Sequence, residues 1–276
     1  MLSLATQNQV ILVTGSTDGI GKQTAHDLAR MGATVLLHGR NQERGEATLQ
    51  EIYSATGNKR LEYYLADFSS LADVRRLAAA VQAKHNSLDI LINNAGIGAG
   101  KLTETKRVLS QDGYELRLAV NYLAPFLLTQ LLLPCLRNAV PSRIINVTSL
   151  GQQPIDFDDV MLRHYDPMQA YCQSKLANVM FTFDLAERLK DQGITVNCLN
   201  PGSRLNTKMV SEMFGESRGT VQSGADVIIH VATSAALENI TGRYFDQMQE
   251  TQANEQAYDR QARQKLWQLS ESLCKL

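Results

Sequence analysis

The sequence predicts one α/β domain over residues 1–276, with a doubly wound, mostly parallel sheet of about seven strands and helices on both faces. Short apolar runs rich in β-branched residues alternate with longer segments that carry apolar residues at three- and four-residue spacing. The runs are continuous rather than alternating, which indicates strands buried on both faces. No Pro-, Gly- or Ser-rich linker divides the chain, and we find no internal repeat.

The strand candidates follow one another along the whole chain. They are residues 10–14, 33–38, 61–66, 88–94, 143–148, 194–200 and the short 242–245. A helical segment is expected at about 250–274 to end the domain. In sheets of this kind, ligands bind beyond the carboxyl ends of the strands, so functional residues are expected there.

Composition and charge exclude several classes of protein. The 276 residues are 44% hydrophobic and 20% charged, enough for a sizeable core, and a net charge of −1 gives no reason to expect a nucleic acid partner. The four cysteines form no CxxC pair and the five histidines no HExxH pattern, which predicts free thiols and no metal. The amino terminus is too short and polar for a signal peptide, and the apolar run 126–136 falls short of the roughly 20 residues of a membrane span. We expect a soluble cytoplasmic protein without a membrane span.

The stretch TGSTDGIG directly follows the first strand and opens a helix. Its three glycines let the backbone approach a pyrophosphate at a helix amino terminus, although a plain strand-to-helix turn also uses glycine. Three glycines in this setting favour a dinucleotide site. The candidate contacts are Gly15, Ser16, Thr17, Asp18, Gly19, Ile20 and Gly21.

The end of the second strand favours NADP(H) over NAD(H) as cofactor. A NAD-selective site usually carries Asp or Glu there, whereas this chain has Gly39 and Arg40. A guanidinium can pair with a 2′-phosphate through two hydrogen bonds, although a surface arginine is the alternative. Other candidate contacts are Asn41, Asp67 and Phe68. Asp67 could bind the adenine amino group, or it could be an acidic residue that stabilises the amino terminus of the next helix.

The fourth strand runs into NNAG, whose small residues permit close approach by a ligand, although its asparagines could instead bind neighbouring strands. Asn94, Ala95 and Gly96 are the candidate cofactor contacts here. TGSTDGIG, NNAG, a serine at the end of the fifth strand and YCQSK occur in that order, and this set resembles the short-chain dehydrogenase/reductase family over essentially the whole chain. The stretches SLGQQPIDFDDV, AYCQSKLANVMFTFDLAERL and YFDQ…LWQLSESL are similar to its retinol dehydrogenase-like branch.

The resemblance implies a Rossmann fold and a catalytic set of Asn121, Ser149, Tyr171 and Lys175. A carbonyl being reduced gains negative charge on oxygen, so it needs a hydrogen-bond donor, here Ser149, and a proton, here from Tyr171. An ordinary tyrosine has a pKa of about 10, and a nearby Lys175 ammonium would favour its phenolate. Lys175 would also bind the nicotinamide ribose, and Asn121 would position a water that links this lysine to solvent.

The resemblance also assigns the region after the sixth strand. Pro201 and Gly202 would turn the chain beside the nicotinamide, and Thr207 would bind its carboxamide. Residues 203–220, with Met209, Met213 and Phe214, resemble a substrate lid, with a short surface helix as the alternative.

Three details qualify the resemblance. Ser149 and Tyr171 are 22 residues apart, a longer spacing than in many members, and residues 152–166 are expected to pass over the substrate mouth. Ala124 stands where many members have glycine. Cys172 should point about 100° away from Tyr171 around the helix, and no chemistry is assigned to it.

The leading functional hypothesis is an NADP(H)-dependent oxidoreductase that interconverts a lipophilic alcohol and its aldehyde or ketone. Reduction of an activated C=C bond is an alternative on the same scaffold. A non-catalytic NADP-sensing protein is a third, although such a protein has less need of Tyr171 and Lys175. A homodimer or homotetramer formed through helix packing is expected from the family.

Overall fold

A computed structural model of the protein describes residues 6–100 and 106–276. Within these residues the apolar runs form one sheet in the order β3-β2-β1-β4-β5-β6-β7-β8. The strands are β1 (Val10–Val13), β2 (Thr34–Gly39), β3 (Leu61–Leu65), β4 (Ile90–Asn93), β5 (Ser142–Val147), β6 (Ile194–Asn200), β7 (Tyr244–Asp246) and β8 (Gln249–Thr251). The order reverses between β1 and β4, so the two strand ends beside this switch point frame a crevice.

The strand count of about seven was one too low. Strands β1 to β7 pair in parallel, and β8 then returns antiparallel to β7. All three residues of β8 are exposed and polar, so this strand has no apolar pattern by which the sequence could have indicated it.

Helices cover both faces of the sheet. They are α1 (Gly19–Arg30), α2 (Gln42–Thr56), α3 (Leu71–Lys84), α4 (Leu116–Leu118), α5 (Ala124–Asn138), α6 (Pro167–Arg188), α7 (Lys208–Phe214), α8 (Val221–Thr233) and α9 (Arg260–Cys274), with a π-helical turn (Ala119–Leu123) between α4 and α5. Alternate strand residues point to opposite faces. Leu12 and Leu91 pack with α3, α5, α6 and α9, whereas Ile11 and Ile92 pack with α1, α2 and α8.

Helix α6 is the most enclosed helix of the domain. It begins with Asp166, whose carboxylate accepts a hydrogen bond from the backbone N–H of Gln169 at 2.6 Å, and Pro167 occupies its first position. Every residue from Ala170 to Ala186 is buried, because the sheet, the π-helical turn and α9 pack against the helix. Side chains on this helix are therefore held firmly against their neighbours.

The helix from Leu118 to Asn138 is 21 residues long with a mean hydropathy of 1.5, and by length and composition alone it could cross a membrane. It is longer than the apolar run 126–136 because the π-helical turn continues it toward the amino terminus. In the fold, 78% of its most apolar window is buried, which is also the pattern of a core helix. The absence of a membrane span stays a prediction.

Candidate active site

The four candidate catalytic residues come from three elements and meet at the carboxyl edge of the sheet. Ser149 lies two residues beyond β5, Tyr171 and Lys175 lie one turn apart on α6, and Asn121 lies in the π-helical turn. Lys175 reaches back to the end of β5, where its Nζ donates a hydrogen bond to the Val147 carbonyl at 3.2 Å. The fold thus brings together, at one edge of the sheet, four residues that are spread over 55 positions of the sequence, from 121 to 175.

Ser149 and Tyr171 approach each other beside Gly151. A Cβ atom on Gly151 would lie 3.5 Å from both the Ser149 Oγ and the Tyr171 Cε1. The Gly151 N–H donates a hydrogen bond to Ser149 Oγ at 3.1 Å, which orients the hydroxyl. Both distances are ordinary van der Waals contacts, so the two hydroxyl-bearing side chains border the same space beside Gly151.

Burial has the largest effect on the pKa values of Tyr171 and Lys175. It raises the pKa of Tyr171, and a hydrogen bond from Ser149 opposes that rise. Burial also lowers the pKa of Lys175 to about 8, and Lys175 Nζ lies 5.8 Å from the centre of the Tyr171 ring. The stabilisation of the Tyr171 phenolate by Lys175 is therefore opposed by the removal of both groups from water.

Asn121 connects the loop after β4 to helix α6. Its amide Nδ2 donates hydrogen bonds to the Ile97 carbonyl at 3.0 Å and to Ser174 Oγ at 2.9 Å, and its Oδ1 accepts one from the Ile97 N–H at 2.8 Å. Its backbone carbonyl accepts a hydrogen bond from Asn178 Nδ2 at 2.6 Å. Through its bond to Ser174, Asn121 thus fixes the residue that directly precedes Lys175.

The glycine turn packs against the NNAG turn at the switch point between β1 and β4. A Cβ atom on Gly15 would lie 2.7 Å from Ala95 Cα, and one on Gly21 would collide with Asn94 Nδ2. Thr14 Oγ1 accepts hydrogen bonds from the backbone N–H groups of Asn94 and Ala95, at 2.9 and 3.0 Å. Thr14 carries no signal in the sequence, because its role depends on a contact across 80 residues.

The remaining residues of the turn lead into α1. Ser16, Thr17 and Asp18 precede the helix, and Gly19, Ile20 and Gly21 form its first turn. The Asp18 carboxylate accepts a hydrogen bond from the Gly19 N–H at 2.8 Å and caps the helix. The helix therefore begins directly after the glycine turn that follows β1, in keeping with a dinucleotide's diphosphate at a helix amino terminus.

The end of β2 lies beside the glycine turn. A Cβ atom on Gly39 would lie 2.7 Å from Thr17 Cγ2, so the strand end and the turn are in contact. Arg40 is exposed, and Asn41 caps α2 by accepting a hydrogen bond from the Arg44 N–H at 2.8 Å. The guanidinium of Arg44 lies 3.6 Å from the Asp18 carboxylate. Arg44 is a second cation at this corner that sequence analysis missed, although it stands only four residues beyond Arg40.

Asp67 and Phe68 form the wall beyond β3. Asp67 Oδ1 accepts a hydrogen bond from the Ser69 N–H at 2.9 Å, so this carboxylate orders its own turn. The Phe68 ring is buried and stacks on His38 with ring centres 4.3 Å apart. Phe68 thus supports the wall through His38, a residue that sequence analysis also missed.

At the opposite end, Gly96 lies between Asn121 and Lys175. A Cβ atom on Gly96 would lie 3.3 Å from Asn121 Oδ1 and 3.4 Å from Lys175 Nζ. Pro201 and Gly202 follow β6 directly. Thr207 caps α7 by accepting a hydrogen bond from the Val210 N–H at 3.3 Å, and its Cγ2 lies 3.5 Å from the Cβ position of Gly19.

Sulfur-bearing side chains surround Tyr171. The sulfur pocket consists of Met168, Cys172, Met209 and Met213, packed with Ala99 and Tyr171. Met209 and Met213 belong to α7, within the expected lid, and approach Gly98 so closely that a Cβ there would lie 2.7 Å from each of them. Cys172 lies nearer to the catalytic pair than its angle around α6 suggests. Its Sγ lies 3.2 Å from the Cβ position of Gly151, beside Ser149 and Tyr171, because the chain of residues 149–151 curls around this part of α6.

The backbone of Ser149 is held from outside the catalytic set. Its carbonyl accepts hydrogen bonds from Gln152 Nε2 at 2.9 Å and from the Tyr244 hydroxyl at 3.2 Å. Gln256 binds both backbone groups of Ile155 in the following segment. Its Oε1 accepts a hydrogen bond from the Ile155 N–H at 2.6 Å, and its Nε2 donates one to the Ile155 carbonyl at 3.1 Å. Residues 152–155 are thus tied to the carboxyl-terminal part of the chain.

All four cysteines are buried free thiols. Among residues 6–100 and 106–276, no three His, Cys, Asp or Glu side chains cluster as metal ligands would.

The chain is similar to known proteins in sequence and in fold. The family model of short chain dehydrogenases matches residues 9–218. Retinol dehydrogenase 13 of Mus musculus is 37% identical over 277 residues, covering 94% of this chain and 81% of that protein. Retinol dehydrogenase 11 of Homo sapiens is 36% identical over 274 residues, covering 95% of this chain and 84% of that protein.

Solved structures share the fold over most of their length. An uncharacterized protein from Mycobacterium Paratuberculosis has a TM-score of 0.80 at 30% identity and covers 98% of this chain and 95% of its own. The Pseudomonas aeruginosa RhlG/NADP active-site complex has a TM-score of 0.74 at 29% identity, covering 89% and 97%. A short chain dehydrogenase from Escherichia coli CFT073 complexed with NADPH has a TM-score of 0.72 at 28% identity, covering 90% and 100%.

Proposed function

Since this chain belongs to the short-chain dehydrogenase family, in its retinol dehydrogenase-like branch, we propose that it uses NADP(H) to interconvert an apolar alcohol and its aldehyde or ketone. Membership makes it an NAD(P)-dependent oxidoreductase that acts on CH–OH groups. The observation that carries the proposal is the approach of Ser149 and Tyr171 beside Gly151, with the buried Lys175 one turn beyond.

The proposed reaction assigns one task to each side chain. The nicotinamide ring, when bound, supplies or takes up the hydride. In reduction, Ser149 donates a hydrogen bond to the carbonyl oxygen, which gains negative charge, and Tyr171 donates a proton to it. In oxidation the Tyr171 phenolate takes that proton from the alcohol. Burial raises the pKa of Tyr171, which keeps the phenol in the protonated form that reduction requires.

Lys175 and Asn121 support this proton transfer. The Lys175 ammonium stabilises the phenolate that remains after Tyr171 has given up its proton, and it would hold the nicotinamide ribose. Asn121 orients this part of α6 through Ser174.

Two arginines support a preference for NADP(H). Arg40 and Arg44 lie beside the glycine turn, and residues 39–41 include no carboxylate that would repel a 2′-phosphate. Guanidinium groups bind phosphate strongly because they offer paired donors. The relatives complexed with NADP and NADPH are consistent with this preference.

The sulfur pocket supports an apolar substrate. Methionine side chains are flexible and polarizable, so they adapt to apolar groups of different shape. Met209 and Met213 come from α7, and Met168 comes from the first turn of α6. A substrate carbonyl beside Tyr171 would therefore extend an apolar group toward these three residues.

The test is turnover by Tyr171→Phe. The variant should retain its affinity for NADPH, while kcat for a panel of aldehydes and ketones falls by about 10²- to 10⁴-fold because the proton donor is lost. Tyr258→Phe, at an exposed tyrosine, is the matched control. Wild-type turnover by Tyr171→Phe would contradict the mechanism. A wild-type protein that binds NADPH but reduces none of the panel would contradict the function, and enone substrates whose products keep the carbonyl would show C=C reduction instead.

A further inference from the structure

His38 joins the glycine turn to the wall beyond β3. It lies in β2, is 3% exposed, and contacts both neighbouring segments through its ring. Its Nδ1 lies 3.1 Å from the Gly15 backbone nitrogen, and its Nε2 lies 3.1 Å from the Ala66 carbonyl oxygen. The backbone adds two more links, since His38 N–H donates to Ser16 Oγ and Ser16 N–H donates to the His38 carbonyl, each at 2.9 Å.

These partners fix one protonation state of the ring. A backbone N–H can only donate and a carbonyl can only accept, so Nδ1 accepts from Gly15 and the Nε2–H donates to Ala66. Burial lowers the pKa of His38 to about 4, so the ring stays neutral at ordinary pH. A protonated ring would present two donors and lose its bond to the Gly15 N–H.

The two partners of His38 belong to the two segments expected to hold the adenosine diphosphate part of the cofactor, which are the glycine turn and the wall beyond β3. Gly15 opens the turn that faces the cofactor's diphosphate, and Ala66 directly precedes Asp67 and Phe68 in the opposite wall. The ring also stacks on Phe68 at an interplanar angle of 24°. One rigid side chain therefore spans the distance between the diphosphate turn and the adenosine wall.

We propose that His38 is a positioning residue for the cofactor. Through its bond to Gly15, His38 sets the glycine turn at the correct distance from the adenosine wall. This inference rests on the binding of NAD(P) at the glycine turn. His38 touches no reacting atom, so its contribution is to cofactor affinity rather than to the chemical step.

Two substitutions separate the bonds of the ring. In His38→Asn, the amide oxygen can take the place of Nδ1 and accept from Gly15. In His38→Gln, the longer side chain can take the place of Nε2 and donate to Ala66. Both variants lose the stacking on Phe68 and each keeps one of the two bonds, so the difference between them weighs the Gly15 bond against the Ala66 bond.

Cofactor binding is measured by fluorescence titration with NADPH. We expect the Kd of His38→Asn to stay within about threefold of wild type and that of His38→Gln to rise roughly tenfold, because a buried N–H without a partner is costly. With saturating NADPH, kcat should stay within about twofold for both. The same substitutions at His85, which caps the far end of α3 at the opposite edge of the sheet, should leave the Kd unchanged.

Equal Kd values for the two His38 variants, or a loss confined to kcat, would overturn the proposal. A measurement on the wild-type protein does not depend on the folding of any variant. Nitrogen-15 NMR should show an unprotonated Nδ1 and a protonated Nε2, with resonances that shift when NADPH is added, and resonances that do not respond would overturn the proposal. A wild-type protein that binds neither NADPH nor NADH would overturn the proposed function instead, together with this inference.

Discussion

The hydroxyl of Tyr244 donates a hydrogen bond to the backbone carbonyl of Ser149 at 3.2 Å. Tyr244 is 2% exposed and begins β7, next to the edge of the sheet. Together with Gln152, it fixes the backbone of a residue whose hydroxyl is proposed to hold the substrate oxygen. The position of Ser149 therefore depends on a strand that lies 95 residues further along the chain.

Removal of the Tyr244 hydroxyl should slow the chemical step. We expect Tyr244→Phe to lower kcat about fivefold, with the NADPH Kd unchanged, because the Ser149 carbonyl loses one of its two side-chain bonds and keeps the one to Gln152. The double variant with Gln152→Leu should lose more than the sum of the two single effects. Tyr64→Phe, which loses a partly buried bond to Glu62 elsewhere, is the control for stability. Steady-state kinetics give the answer, and a double variant with wild-type kcat would contradict the prediction.

The stability of the protein should depend on pH through Lys175. Its pKa is about 8 in the folded protein and about 10.4 when unfolded. The unfolded state binds the proton more tightly, so burial of Lys175 lowers stability below about pH 8, and this cost disappears as the pH rises toward about 10.4. Lys175→Met should raise the free energy of unfolding by about 2 kcal/mol near pH 7 and have little effect near pH 10. Urea denaturation at both pH values measures this, and a difference independent of pH would contradict it.

Arg40 and Arg44 should decide between the two cofactors. Each substitution by alanine is expected to raise the KM for NADPH about tenfold, because a charge-assisted bond to the 2′-phosphate is lost, while the KM for NADH changes little. Arg30→Ala, at an exposed arginine that ends α1, is the control. An equal loss with both cofactors would mean that the arginines support the fold rather than bind the phosphate.

The sulfur pocket should make turnover depend on the size of the apolar group. For a series of aldehydes, kcat/KM should rise by up to about fourfold for each CH₂ group that the pocket buries. Met209→Ser combined with Met213→Ser should flatten this rise and leave the smallest aldehydes unaffected. Phe214→Ser, at an exposed residue of the same helix, should preserve it. A series with no dependence on length in the wild-type protein would contradict an apolar substrate.

Trp267 should contribute strongly to stability. It is 6% exposed, meets the Phe126 ring at 5.1 Å and lies under the guanidinium of Arg188 at 3.8 Å. Trp267→Ala is expected to lower the free energy of unfolding by about 3–5 kcal/mol. Denaturant titration monitored by circular dichroism measures the loss, with the exposed Tyr258→Ala as control. A loss below about 1 kcal/mol would contradict the role of α9 as part of the core.

The sequence predicts the parallel strands and the glycine turn because each depends on local signals. Continuous apolar runs identify the strands that are buried on both faces, and the glycines identify the first turn. The polar β8 carries no such signal, and it forms because the chain reverses at residues 247–248, where Gln247 has a positive φ of 55°.

Residues that act through long-range contacts escaped prediction. His38 and Tyr244 look like ordinary strand residues until the fold sets them beside Gly15 and Ser149. Cys172 was assigned by its angle around α6 alone, which ignores the chain of residues 149–151 that wraps against that face. Helical geometry gives the direction of a side chain, but the neighbouring segment decides what it meets.

The enclosure of α6 has a consequence for quaternary structure. Along Ala170–Ala186 this helix is covered on every side, partly by α9 of the same chain. A second copy of the chain cannot reach the middle of α6 without displacing α9 and the Trp267 contacts. The carboxyl-terminal helix thus covers, within one subunit, the face of α6 through which a second copy of the chain would otherwise associate.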